Sequence, residues 1–537
     1  MKAAITPLLK FQIVEDIKND MFPSDANTYI AIGRPIRWGS DATELASEVE
    51  DVSYTTNYRN QVSRDMVAMK KVAAADIALV IPRVDWVANR RYDEYLDHIE
   101  LFSYSSLSSL GTTSYLITAG DTKVNLTSYI TGNLSVGNTI TIGTETKEVI
   151  AINPTTFLVN VNSAFVSSYT SGNATVRVDN TYPTYSNTFY VRNSKDQIFK
   201  CLYNNLEATS TIEPTIDIDG QLPENAYVEP GDGYKWKYMY SIPYGYKQKF
   251  FTKTWMPVLS DNAVIAGATD GRLDVIKILS GGTGYYLDGQ SGNSNTLSIV
   301  TITGDGTGAS VTARVQSGVI TGLNILNGGS GYTTANVVIS DPDQLSTGTA
   351  AVFDTVIGPK GGHGSNPAKE LGCFTAMTSV DLSGTESGKI PVGTPGTGAF
   401  DFRQISLVRD PKLANGVYAN SSVYNTTTVL TVSDPGITNF VNDETITVFS
   451  ATAGTTFTAT VIDWDASNNL LAINNKNGTL SVGTQISGGT SGAVSTVTAI
   501  SNTSINIFSG DLLYVENRQK IIRDVDQTEQ IRLILSF

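Results

Sequence analysis

The chain has 537 residues, enough at about 100–200 residues per domain for several domains and a sizeable core. Lys and Arg number 37 against 51 Asp and Glu, a net charge of −14. This excludes general affinity for nucleic acid or anionic membranes, so neither is expected as a partner. Charged residues make up only 16% of the chain, against about a quarter in ordinary globular proteins, while 47 Gly and 25 Tyr fill the difference. That profile fits a β-rich, particle-bound or extracellular protein better than a cytosolic enzyme.

Cys201 and Cys373 cannot build a disulfide framework or a four-thiolate metal site, and the histidines, His98 and His363, are far apart in sequence. The longest apolar run, Ile77-Ala-Leu-Val-Ile81, is strand length, too short to span a bilayer. Near the N-terminus, Lys10, Glu15 and Asp16 interrupt the apolar stretch, so no secretion signal is expected.

Residues 5–22 read as a helix: Thr6 can cap it, Pro7 suits its first turn, Leu9, Ile13 and Ile17 recur every four residues, and Pro23 stops it. A strand over Thr28–Ile32 follows. Val62, Met66, Met69 and Ala73 share one face of an expected second helix, with the methionines as core rather than a cofactor contact. Ile77–Ile81 reads as a buried strand closed by Pro82.

From about residue 104, Ser, Thr, Gly and Asn dominate, with short β-branched runs such as Thr139-Ile-Thr-Ile142 and Glu148-Val-Ile-Ala-Ile152. A second such stretch contains a repeat: Ile276-Lys-Ile-Leu-Ser-Gly-Gly-Thr-Gly-Tyr285 matches Leu323-Asn-Ile-Leu-Asn-Gly-Gly-Ser-Gly-Tyr332 at an offset of 47. A third carries Leu480-Ser-Val-Gly483, echoing Leu134-Ser-Val-Gly137 of the first, as though one kind of module had been inserted twice. The division that follows is a discontinuous body at 1–103, 186–267, 358–419 and 507–537, interrupted by small all-β modules at 104–185, 268–357 and 420–506. Such insertions are tolerated because loop-closure entropy grows only logarithmically with length. The expected fold class is mainly β, a β-sandwich body with a few peripheral helices plus the three modules.

Within Val228-Glu-Pro-Gly-Asp-Gly-Tyr234, Pro230 and the two glycines set a turn that delivers Tyr234-Lys-Trp-Lys-Tyr-Met-Tyr240 as a strand. Tyr234, Trp236, Tyr238 and Tyr240 then form an aromatic face, expected in the core, opposite Lys235, Lys237 and Met239. The last strand, Ile531–Phe537, is expected to complete a sheet, since a free apolar edge invites aggregation.

Candidate sites are few. Gly281-Gly-Thr-Gly-Tyr-Tyr286 resembles the start of a calcium-binding repeat, but Tyr286 and Thr333 stand where the ligating Asp should be. Gly304-Asp-Gly-Thr-Gly308 reads as a hairpin turn rather than a phosphate cradle, because strand-like sequence flanks it on both sides. Asp463-Trp-Asp465 places two carboxylates on one strand face and Trp464 on the other, as in a surface strand or an acid/base pair beside a sugar platform; the surface strand is the plainer reading. His98 reads as structural. No nucleophile elbow, His-Glu-x-x-His or Cys-x-x-Cys occurs, so no catalytic, cofactor-binding or metal-ligating residues are assigned, no cofactor is expected, and the chain is not read as an enzyme.

The denser segments carry ordered blocks: Thr28-Tyr-Ile-Ala-Ile-Gly-Arg34 with Trp38, Ala78-Leu-Val-Ile-Pro-Arg83 with Asp85-Trp86, and Phe199-Lys-Cys-Leu202. They continue with Ile212-Glu-Pro, Val228-Glu-Pro-Gly-Asp-Gly-Tyr-Lys-Trp-Lys-Tyr238 leading to Ile242-Pro243, and Phe402-Arg-Gln-Ile-Ser406. The last are Gly510-Asp-Leu-Leu-Tyr-Val-Glu-Asn-Arg518 and Asp526-Gln-Thr-Glu529. In this order they resemble the baseplate wedge protein family, the gene eight products, of T-even-type contractile-tail phages. The resemblance covers the body, roughly 300 residues, and skips all three modules, which the familiar form of the family lacks. It implies a β-sandwich homodimer that joins other wedge proteins in a sixfold baseplate, moves with it when contraction is triggered, and resides in the virion tail after assembly in the host cytoplasm. It carries over no catalytic residues. The modules leave open a receptor- or carbohydrate-binding tail protein contacting host-surface glycans, or a polysaccharide-cleaving tail enzyme.

Overall fold

The computed structural model describes residues 7–21, 27–39, 48–95, 108–112, 117–125, 139–142, 145–153, 158–170, 175–179, 189–217, 226–285, 300–339, 348–393, 400–448 and 457–536. The chain is mainly β, with a few short helices. It divides into two compact units, Met1–Gln12 with Leu79–Phe374 and Ile13–Ala78 with Thr375–Phe537. The dense segments are distributed between both. No helix among the described residues is long and apolar enough to cross a membrane.

The first unit is built on an antiparallel sheet of four strands in the order Tyr190–Arg192, Gln197–Tyr203, Lys235–Ser241, Tyr227–Val228. The turn before Lys235 forms as its sequence requires. Gly231 and Gly233 adopt positive φ (104° and 86°), and Asp232 Oδ2 accepts hydrogen bonds from the backbone of Thr211 (2.8 Å) and Ile212 (3.1 Å). Tyr234, Trp236, Tyr238 and Tyr240 are all buried, the first three in a cluster with Tyr92, Phe199 and Cys201. The opposite face is buried too: Lys237 and Met239 are as inaccessible as the aromatics. Beyond this sheet, Ile77–Pro82 pairs with Trp255–Pro257.

Two modules belong to this unit. In the first, six strands run in the order Ser108–Thr112, Thr175–Asp179, Thr139–Ile142, Glu145–Asn153, Leu158–Val161, Lys123–Asn125 over a core of Ile140, Ile142, Val149, Val159 and Phe165. In the second, the repeat has a strand-by-strand meaning. Leu273–Ser280 pairs with Val352–Ile357, Val319–Ser330 with Thr307–Gln316, and Val300–Gly304 with Ala335–Ile339. The first strand of each copy therefore pairs with the last strand of the other, and the middle strands pair across the pseudo-twofold. Gly282 (φ 60°) and Gly329 (φ 65°) occupy equivalent places: a Cβ there would meet Thr349 O at 2.5 Å and Thr307 O at 2.4 Å respectively. This corrects the expected hairpin at Gly304–Gly308. The strands on either side of that corner do not pair with one another, because each finds its partner in the other copy. Asp305 instead ties the corner to that copy, accepting from the backbone of Thr333 (2.8 Å) and Thr334 (2.9 Å).

The second unit holds a five-stranded sheet in the order Val423–Asn425, Met66–Lys71, Thr28–Gly33, Phe400–Arg409, Asp511–Arg523. Ile30 and Ile32 face a core shared with Val380, Leu382, Ile531 and Leu533 of the paired strands Thr375–Ser383 and Thr528–Ser536. Tyr29 and Ala31 face a second cluster with Val62 of the helix Thr56–Asp65. Burial on both sides explains why Thr28–Gly33 reads as a continuous apolar run. The terminal strand completes a pair as expected. The second helix is shorter than expected: it ends at Asp65, and Met66 and Met69 belong to the strand Met66–Lys71, paired with Thr28–Gly33. The spacing of Val62, Met66, Met69 and Ala73 is helical, but Met66-Val-Ala-Met69 is also an unbroken apolar run buried on both faces, and the ladder to Thr28–Gly33, with its register shift at Ile32/Gly33, decides the outcome. Both methionines are nevertheless core.

The third module is a closed barrel in the order Thr428–Val432, Leu470–Gly478, Phe457–Asp465, Thr445–Val448, Gln485–Gly488, Val494–Ser501. Its first five strands repeat the ladder of the first module from Lys123–Asn125 to Thr175–Asp179, each strand matching in chain order. The shared ladder extends the Leu-Ser-Val-Gly echo, whose copy at 134–137 lies outside the described residues.

Candidate functional site

Among the described residues of the first unit, the densest buried charge lies against its body sheet. Lys200 pairs directly across from Lys237, which in turn pairs with Tyr227 on the next strand. Both lysines are fully buried, and two ammonium groups on adjacent strands require anions brought from elsewhere. Two segments bring them: Asp274 lies on the strand Leu273–Ser280, and the loop that follows the second module carries His363 and Glu370.

That loop's course follows from its small residues. Gly364 has φ +91°, and a Cβ there would stand 2.5 Å from Val264 Cγ1 and 3.2 Å from Lys237 Cε, so only glycine lets the chain pass this close to the lysine. Asn366 caps the short helix Pro367–Glu370 by accepting from the Lys369 amide at 3.0 Å, and Pro367 suits its first position. Glu370 then folds back on the loop. Its Oε1 accepts from the Gly364 amide (2.8 Å) and the Asn366 amide (3.2 Å).

Lys200 Nζ donates to Glu370 Oε2 and lies 2.6 Å from His363 Nδ1. It also sits 4.1 Å from the centre of the Tyr95 ring, whose plane meets that of the His363 ring nearly edge-on at 5.5 Å. His363 Nε2 faces Asp274 Oδ2 at 3.4 Å. The Tyr227 hydroxyl donates to Asp274 Oδ1, which lies 3.4 Å from Arg272 Nε. Nearby, Lys277 bonds to Glu94 at 2.5 Å.

Burial opposes ionisation of Glu370, but the Lys200 charge and the His363 contact outweigh it and hold the carboxyl at about 2. Burial, reinforced by the Lys200 charge, keeps His363 below its ordinary range and therefore neutral, so Nδ1 can accept from Lys200. Burial also brings Lys237 down to about 8, the Lys200 charge adding to the effect while Asp274 opposes it. Burial and Asp274 raise the Tyr227 phenol.

The arrangement therefore combines an amine, an imidazole and two carboxylates within contact distance, with the side chains of Lys200, His363 and Glu370 at 0–4% exposure. Chemistry at this point is confined to the groups themselves. Mechanically, it fastens the first strand of the second module and the 358–374 segment to the body sheet. Among the described residues, no group of three His, Cys, Asp or Glu side chains is placed to hold a metal ion.

The sequence pointed elsewhere. Trp464 is packed in the core of the third module's barrel, with its Nε1 donating to Asn439 at 3.1 Å, so it forms no exposed sugar platform. Asp465 caps a turn through the amides of Ser467 and Asn468, while burial raises the Asp463 carboxyl. Tyr285 and Tyr332 are core residues of the second module, and Cys201 and Cys373 are buried and not joined in a disulfide. His98 and Tyr286 lie outside the described residues. Sequence reasoning missed Lys200, Lys237, Asp274, His363 and Glu370. The available signal was a single charge inside an otherwise apolar or aromatic strand, as in Phe199-Lys-Cys-Leu202 and Leu273-Asp-Val-Ile276.

Compared with known proteins, the chain matches no protein-family model and no curated protein sequence.

Proposed function

We propose that this chain is a structural subunit of a contractile phage tail baseplate wedge, a homodimer that bridges neighbouring wedge proteins and carries three β modules on its body. The observation that carries this reading is the ordered set of blocks resembling the gene eight product family. Most of those blocks fall on strands outside the modules, Thr28–Gly33, Ile77–Pro82, Gln197–Tyr203, Lys235–Ser241, Phe400–Arg409 and Asp511–Arg523, while Ile212-Glu-Pro lies in a loop. Residues that carry such a resemblance on strands outside the modules support a common body with module insertions between its strands.

Two physical features suit a structural subunit. Charged groups are used inside the molecule as fasteners, as at Lys200 and Glu370. Apolar side chains also stand exposed on adjoining segments: Val417, Tyr418 and Phe508 are 53–59% exposed. Their segments are joined by the pairing of Lys412–Leu413 with Ile505–Asn506. Such a patch suits contact with a neighbouring subunit. Antibodies against the chain should label the tail tip of contractile-tailed particles that carry it. Labelling of capsid or free fibres instead, with none at the tail tip, would count against this reading.

A further inference from the structure

Lys200 and His363 stand as nucleophile and base, with 2.6 Å between Nζ and Nδ1, and Asp274 Oδ2 faces the far side of the imidazole at 3.4 Å from Nε2 without a hydrogen bond between them. The group in contact with the nucleophile is the Glu370 carboxyl. Its other oxygen, Oε1, already accepts two backbone amides, Asn366 at 3.2 Å and Gly364 at 2.8 Å, the latter also reaching Oε2 at 3.1 Å, as an oxyanion does in acyl transfer. All the parts of an acyl-transfer centre are assembled, and the acyl group is one of the protein's own side chains.

We propose that Lys200 and Glu370 condense to an intramolecular amide bond that locks the 358–374 loop to the body sheet. His363, whose Nδ1 is 3.6 Å from Glu370 Oε2, relays one ammonium proton from Nζ to Oε2, leaving an amine and a carboxylic acid. The Nζ lone pair adds to Cδ, and the carbonyl π pair moves to Oε1 against the Gly364 and Asn366 amides. A second Nζ proton passes through His363 to the Oε2 hydroxyl, which departs as water while the Oε1 pair restores the carbonyl. One N–C bond forms, one C–O bond breaks, and one positive and one negative charge vanish together. Condensation is unfavourable in bulk water, but fixed reactants reach effective molarities of about 10⁵–10⁸ M. Cancelling a buried ion pair also removes its desolvation cost.

The test is the intact mass of the denatured full-length protein, followed by proteolysis and tandem mass spectrometry. The proposal predicts a mass one water below that of the sequence and a branched peptide joining Lys200 to Glu370. Lys200→Met should restore the full mass, and Glu370→Gln should lose one ammonia instead of one water. His363→Asn should slow bond formation while leaving the folded circular dichroism spectrum in place. Water loss that persists in Lys200→Met would arise from another site, such as Asp-Gly cyclisation, and would overturn the proposal. So would separate, unlinked Lys200 and Glu370 peptides from aged wild-type protein, a result that needs no variant to fold.

Discussion

Lys237 lies opposite Lys200 with its pKa drawn down to about 8. Between about 8 and the ordinary lysine value of 10.5, the unfolded chain holds a proton on this residue that the folded chain does not, so Lys237's own contribution to stability rises with pH across that window. Lys237→Met should abolish this rise, measured as the melting temperature between pH 8 and 10.5. Asp65 works in the opposite sense. It is 1% exposed, and burial raises its carboxyl to about 6 against the help of Gln61 and Arg34. The folded state therefore binds the extra proton, and stability present below about 3.8 is lost as pH rises through about 6. Asp65→Asn should flatten that slope, a difference of order 3 kcal/mol across the window, read by denaturant titration at pH 4 and pH 7. Neither residue stands out in the sequence. Lys237 alternates with aromatics as an exposed lysine would, and it is buried because Asp274 and the 358–374 segment cover that face.

At the scale of elements, legibility followed whether a segment's own pattern decided its structure. Glu229–Gly233 has proline and glycine where a turn needs them, so both the turn and the aromatic strand after it could be read directly. Met66–Lys71 could not, because Val62, Met66, Met69 and Ala73 follow a helical spacing and only pairing with the distant strand Thr28–Gly33 overrode it. The repeat was visible as text, but its exchange of strands was not, since pairing between distant copies leaves no local trace. That exchange has a consequence: neither copy can complete its sheets alone. Gly329→Ala, which would push a Cβ to 2.4 Å from Thr307 O, should destabilise the module by more than about 1 kcal/mol. Limited proteolysis of the full-length variant should show cleavage concentrated in 268–357. Gly331→Ala has the same unfavourable φ but no neighbour within 4 Å, and should be milder.

At the scale of the molecule, the proposed role divides the chain into a body that makes the contacts and modules that decorate it. The buried ionic cluster was not legible because its members come from four segments, Tyr95, the body sheet, Leu273–Ser280 and 358–374, which only folding brings together. If the exposed patch contacts a neighbour, Phe508→Glu should weaken complex formation without changing the melting temperature, because the side chain is 56% exposed. The most direct measurement of the central claim is the mass of the purified protein by light scattering, alone and after mixing with candidate wedge proteins. A homodimeric wedge subunit gives a species near twice 57.5 kDa that shifts to a larger stable complex in the mixture. A trimer that ignores those proteins would contradict it and point to a fibre or spike.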